Sequence, residues 1–203
     1  MNPMERCCAT ARSLLSDAAA GLGFALDRTV PLRRRDNGGL LLSALPRRLA
    51  AENGGDAQPL AEALIDVLSL EKTPFDRKTA EDGMILLSLS HDWFASVLSD
   101  FGSAEWPDVP ELPSQRNEEN PAFLLAYTAR RCRALAERGT AGAPPELPAG
   151  LICALAAEGD AGDIARSYWR LPWKVRAYAP LAKAVGIAAG QRARVIYRKF
   201  TPL

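Results

Sequence analysis

A single histidine, His91, stands in a chain of 203 residues, which leaves imidazole chemistry almost no foothold. The four cysteines, Cys7, Cys8, Cys132 and Cys153, fall at no metal-ligand spacing. Neither a zinc site nor a disulfide framework is supported, and the expectation is thiols packed as small hydrophobes. Signatures of nucleotide, metal or nucleophile chemistry are missing too: there is no GxxxxGK[ST], GxGxxG, HExxH or GxSxG. The paired acids Glu118-Glu119 and Asp160/Asp163 read as helix-start charges that complement the backbone dipole, not as general acids. No catalytic residue, cofactor or metal is therefore expected, and the chain reads as a non-enzyme. No run of 18 apolar residues could cross a bilayer. The opening MNPMERCCATARSLLSD has no continuous apolar core of the kind a secretion signal needs, so a cytoplasmic, reducing address is expected.

What is present is an ordinary globular composition, 48% hydrophobic and 24% charged, with an uneven charge distribution. Of 25 basic and 24 acidic residues, nine basic and no acidic ones lie between Ile164 and Leu203, which leaves 16 and 24 before them, a net of −8. A basic end on an acidic body suggests that the C-terminal segment meets a polyanion or an acidic surface.

Periodicity divides the chain into a small α+β part followed by an all-α bundle. Leu14, Leu15, Ala18 and Leu22 predict a first helix over 4–22, stopped by Gly21 and Gly23. The alternation of Phe24, Leu26, Val30 and Leu32 predicts a half-buried strand, followed by a charged turn at Arg33–Gly39. Residues 40–52 and 57–69 read as two short helices, Met84–Leu89 as a strand, and Ser90 as the cap of a helix carrying Trp93, Phe94, Val97, Leu98 and Phe101. The first domain is thus expected over 1–101. Pro107, Pro110 and Pro113 among charged residues give 102–119 linker composition. Beyond it, helical spacing predicts helices over 120–138, 147–158, 160–170, 173–186 and 188–199, a second domain over 120–203.

The helix NPAFLLAYTARRCRALAERG starts with strong signals. Asn120 can accept from free backbone amides, and Pro121 fits a first turn because it has no amide to leave unpaired. Phe123, Leu124, Tyr127, Ala134 and Leu135 form a packing stripe, with Arg130, Arg133 and Glu137 on another face. Asn120-Pro121, Phe123, Tyr127 and Arg131 fall without a gap on a pattern that resembles the Asn-Pro-x-Phe/Tyr-x-x-x-Tyr-x-x-x-Arg helix of the arginyl-tRNA synthetases. In that family the helix leads into a helical anticodon-binding domain of DALR type. NGGLLLSALPRRLAAENGGDAQPLAEALIDVL followed by GMILLSLSHDWFASVLSDF is similar to the same enzymes' N-terminal accessory domain. The nucleotide-binding catalytic domain that separates these parts in the family has no counterpart here, where only 102–119 intervenes. The resemblance therefore implies a pseudo-synthetase, a non-catalytic relative. Ala126 and Ala129 stand where the family has Gln and His, polar groups that would face the missing domain, and Gly38-Gly39-Leu40 replaces a polar-aromatic segment.

The basic end interleaves its cations with Tyr168, Trp169, Trp173, Tyr178, Tyr197 and Phe200, the combination that holds single-stranded loops: cations meet phosphates and bases stack on rings. The candidate RNA contacts are Arg130, Arg133, Arg166, Arg170, Lys174, Arg176, Arg194 and Arg198 for phosphates, and Trp169, Trp173 and Tyr197 for stacking. The expected partner is a tRNA, held at its anticodon loop. The alternative is a protein-interaction scaffold that kept the fold and binds a protein partner instead of RNA.

Overall fold

The computed structural model describes residues 1–35, 39–113, 117, 119–138 and 146–200, with side chains up to residue 197. Two compact units divide the chain, Met1–Phe94 and Ala95–Leu203.

In the first unit, helix α1 (Pro3–Gly21) opens with a reciprocal cap: Asn2 Oδ1 accepts from the Glu5 amide at 2.8 Å, and Glu5 Oε2 accepts from the Asn2 amide at 2.9 Å. Its buried stripe is Met4, Cys7, Ala11, Leu15 and Ala18, as the 3.6-residue period requires. Strands β1 (Arg33–Arg35), β2 (Leu40–Ser43), β3 (Phe75–Glu81) and β4 (Met84–Leu89) form one antiparallel sheet in the order β1-β2-β4-β3. Helices α2 (Leu45–Asn53) and α3 (Ala57–Val67) lie between β2 and β3 in sequence, and Leu49, Leu64, Ile85 and Leu87 are sealed in the core.

Two readings from periodicity are corrected here, and Arg33–Arg35, expected in a charged turn, forms β1. No strand forms over Phe24–Leu32: Phe24 and Leu26 are half-buried and Val30 is buried, but the backbone has no ladder partner. Side chains satisfy its carbonyls instead, Arg48 Nη1 donating to Thr29 at 3.0 Å and Ser43 Oγ to Pro31 at 2.8 Å. Leu40–Ser43, expected to be helical, forms β2 between β1 and β4, and α2 starts only at Leu45 with Pro46 in its first turn. Strand β3 escapes a periodicity reading because it is an edge strand in which only Phe75 is buried. The strand Met84–Leu89 and the helix after it, α4 (His91–Ser103), do form, with Ser90 Oγ accepting from the Trp93 amide at 3.1 Å.

The second unit is helical: α5 (Pro121–Glu137), α6 (Ala149–Ala156), α7 (Ala161–Trp169), the single turn α8 (Trp173–Arg176) and α9 (Ala179–Phe200). The two helices expected over 173–186 and 188–199 are replaced by that turn and one 22-residue helix. Gly186 and Gly190, which cost helix propensity locally, sit inside α9 because other chain segments press against them. A Cβ on Gly186 would lie 2.7 Å from the Trp106 ring and 2.8 Å from Cys132 Cβ; on Gly190 it would lie 2.6 Å from Pro107 Cγ.

These contacts reveal what the proline-rich stretch does. Trp106 and Pro107 lie against Gly186 and Gly190, Val109 packs on the cluster of Leu125, Ala129, Ala161, Ala189 and Ala193, and the carbonyls of Pro110 and Glu111 accept from Arg130 and Tyr197. Five extended residues from 106 to 111 cover about 17 Å at roughly 3.3 Å each. Eleven helical residues from 186 to 197 also cover about 17 Å at 1.5 Å each. The segment therefore runs along α9 as a strap, keeping pace with it. Ala126 and Ala129 are fully buried, so these small residues serve the packing of α5 and do not line an open surface.

Substituting Gly186→Ala or Gly190→Ala raises helix propensity yet is expected to destabilise the chain by about 1–3 kcal/mol through overpacking, read from urea denaturation midpoints. Gly102→Ala in α4, where a new Cβ meets nothing within 4 Å, is expected to be neutral or stabilising by up to about 1 kcal/mol in the same assay.

Candidate nucleic-acid interface

The corner where α5, α7 and α8 meet gathers four aromatic rings and a guanidinium into one continuous series. Its first member is positioned by the start of α5, where Asn120 Oδ1 accepts from the amides of Ala122 and Phe123 at 3.1 and 3.4 Å. Phe123 and Tyr127, one turn apart, stack with centroids 5.6 Å apart and planes 19° apart. Tyr127 then meets Trp169 of α7 at 5.8 Å, and Arg176 of α8 lies over Trp169 at 5.4 Å and over Trp173 at 5.8 Å.

Two hydrogen bonds hold this corner. Trp169 Nε1 donates to Thr128 Oγ1 at 2.9 Å, which locks the indole on α5 and satisfies a fully buried hydroxyl. Tyr168, also fully buried, donates its hydroxyl to the Arg176 carbonyl at 2.6 Å and so ties α8 back to α7. Asp160 fixes the other end of α7, its Oδ1 accepting from the amides of Gly162 and Asp163 at 2.9 and 3.0 Å. The Arg176 Nε is buried without a hydrogen-bond partner, and the guanidinium is stabilised instead by the faces of two indoles.

Two members of the series face solvent: Trp173 is 54% exposed and Tyr127 is 40% exposed. Exposed cations border them in sequence, Arg131 one turn beyond Tyr127, Arg170 at the end of α7 and Lys174 beside Trp173. Open ring faces beside cations accept planar, anionic polymers: bases stack on the rings and phosphates meet the charges. Of the candidates named from sequence, Trp169, Trp173 and Arg176 thus come together here, and the exposed Arg170 and Lys174 adjoin them in sequence. Phe123 and Tyr127 join them, read beforehand as a packing stripe and as positions of the synthetase-like helix motif but not as RNA contacts; their four-residue spacing on a helix was the available signal.

The remaining candidates lie elsewhere or are engaged. Arg130 Nη2 donates to the Pro110 carbonyl at 3.0 Å, Arg133 pairs with Glu137 at 2.8 Å, and Arg166 pairs with Asp163 at 2.6 Å. The Tyr197 hydroxyl donates to the Glu111 carbonyl, so this ring braces the strap. Arg194 is exposed on α9, and the Arg198 side chain lies outside the described residues. Tyr168, grouped with the aromatic series from sequence, is buried as a structural anchor.

Among the described residues no group of three or more His, Cys, Asp or Glu side chains could hold a metal ion, and no helix is long and apolar enough to cross a membrane. The acidities of Cys132 and Tyr168 shift clearly, and both groups move toward their protonated forms. Burial lifts the Cys132 thiol from 9.0 to about 12, against a smaller opposing effect of its hydrogen bond with Tyr168. Burial likewise pushes the Tyr168 phenol above its ordinary range. These are packing groups, not nucleophiles.

No protein-family model matches the chain, and no curated protein matches it. Among solved structures the chain is similar to arginyl-tRNA synthetase from Thermus thermophilus, with 15% identity, a TM-score of 0.38, and coverage of 94% of this chain and 36% of that one.

A thiol whose folded-state pKa is raised lends stability that is complete below its unfolded value and is lost as pH rises through the folded value. Urea midpoints are therefore expected to fall as pH climbs from about 9 toward 12, and Cys132→Ser is expected to make the decline shallower. A profile flat to pH 11 in the unsubstituted chain would contradict the burial of the Cys132–Tyr168 pair.

Proposed function

We propose that this chain is a non-catalytic RNA-binding protein that holds the anticodon loop of a tRNA on the aromatic face of α5, α7 and α8. One observation carries the reading: rings and cation follow one another from Phe123 through Tyr127, Trp169 and Arg176 to Trp173, with Tyr127 and Trp173 exposed. Unstacked loop bases are the nucleic-acid groups that such a face can take, because a duplex buries its base faces. The residues that carry the likeness to the arginyl-tRNA synthetases support the reading, since Asn120, Phe123 and Tyr127 build one edge of this face. The cytoplasm is the address that fits such a partner.

The protein acts by binding alone. Trp173 and Tyr127 offer stacking worth about 1–3 kcal/mol per base. Arg170, Lys174 and Arg131 meet phosphates, and Arg176 keeps the indoles in place while adding charge beneath them. With Arg130, Arg133 and Arg166 already engaged, three or four phosphates are neutralised, and the logarithm of affinity should fall by roughly 2–3 per tenfold rise in salt.

Filter binding of an unmodified tRNA transcript to the full chain tests this at two salt concentrations. Trp173→Ala is expected to weaken binding about tenfold or more with no change in thermal stability, since its ring is mostly exposed, whereas Arg133→Ala is expected to change it less than twofold. A tRNA stripped of its anticodon stem and loop should lose the Trp173-dependent part. Absence of retention at low salt, or equal retention of duplex RNA, would end the proposal; a stable protein complex in place of RNA would favour the scaffold reading.

A further inference from the structure

The sheet of the first unit carries a surface that the RNA-binding reading does not use. Register places two rows across one face: Arg33, Leu42, Leu86 and Thr79, then Arg35, Leu40, Ser88 and Arg77. Met84 and Glu81 form the next pair on this face. The opposite face holds the fully buried Leu41, Ser43, Ile85 and Leu87 and is the core side. On the first face, Leu40, Leu42 and Met84 are half-buried around the buried Leu86, while Arg33, Arg35, Arg77, Thr79 and Glu81 are exposed. None of these three arginines has a hydrogen bond or ion pair among the described residues, in contrast to Arg47, which donates to the Asp82 carbonyl, and Arg48, which pairs with Glu52.

We infer that this face docks an acidic amphipathic helix of a partner protein. Three features select that occupant. The centre is aliphatic, so its area is recovered by the apolar stripe of a helix. The edge strands β1 and β3 set arginines three strand spacings apart, about 14 Å, which brackets a helix of about 10–12 Å diameter laid between them. Arginine forks on both borders match carboxylates on the two flanks of such a helix, an arrangement that sets register and rejects basic helices. RNA fits the face poorly, because it presents no aromatic ring on which a base could stack. A second copy of the chain fits poorly too, since two faces bordered by the same arginines repel.

The test places a benzophenone photo-crosslinking amino acid at Thr79, on the exposed edge of the face, in the full chain expressed in its own cells. The crosslinked peptide is then sequenced. The expected adduct is one protein whose crosslinked segment has apolar residues at helical spacing between Asp and Glu flanks. The adduct should fall at least tenfold in the double variant Arg35→Glu/Arg77→Glu, persist in Arg35→Lys/Arg77→Lys, and be untouched by Trp173→Ala. Circular dichroism melts of each purified variant confirm that these exposed substitutions leave the fold intact. A crosslink to RNA, to a second copy of the chain or to a basic segment overturns the inference. So does an adduct indifferent to charge reversal, or no adduct at all in a folded protein.

Discussion

Close approach of α5 and α9, sealed by an extended strap, is the constraint on which the helical unit depends. Glycine at 186 and 190 and alanine at 126, 129, 189 and 193 remove the side-chain volume that would otherwise hold these elements apart. Dispersion and exclusion of water then act over a short distance along a long seam. The strap adds what small residues cannot supply: Trp106, Pro107 and Val109 fill the cleft, and two carbonyls accept hydrogen bonds from Arg130 and Tyr197. Two residues named from sequence as candidate RNA contacts are thereby drawn into architecture.

That seam has a consequence for the aromatic face. With α5 fixed against α9, Thr128 and Tyr127 stand at set positions, and α7 can dock its Trp169 on both. The Tyr168 bond to the Arg176 carbonyl then turns the chain so that α8 projects Trp173 outward. An exposed tryptophan costs a soluble protein unfavourable hydration, and here the surrounding structure over-determines its position. Such a combination is typical of a surface reserved for a ligand.

The physical character of each surface also separates the two units. One face is aromatic and suited to flat bases; the sheet face of the other unit is aliphatic with arginine borders and suited to a helix. The shifts at Cys132 and Tyr168 arise from burial and favour the protonated forms.

Much of the fold was legible because its signals are local. Asn120 announces a helix start through a side chain that reaches amides two and three residues on, and the apolar run Met84–Leu89 reads as a strand and pairs as one. The uneven charge and the lack of catalytic motifs also follow from composition alone. What needed the tertiary structure were choices between equally good local alternatives: Leu40–Ser43 as strand because β1 and β4 flank it, and α9 unbroken because Trp106 and Pro107 occupy the space beside its glycines. The site divided in the same way. Sequence named cations and rings, but whether Arg133 meets Glu137, or Tyr168 is sealed while Trp173 is open, depends on neighbours many residues distant. Exposure is a property of the packed whole, and no pattern along the chain encodes it.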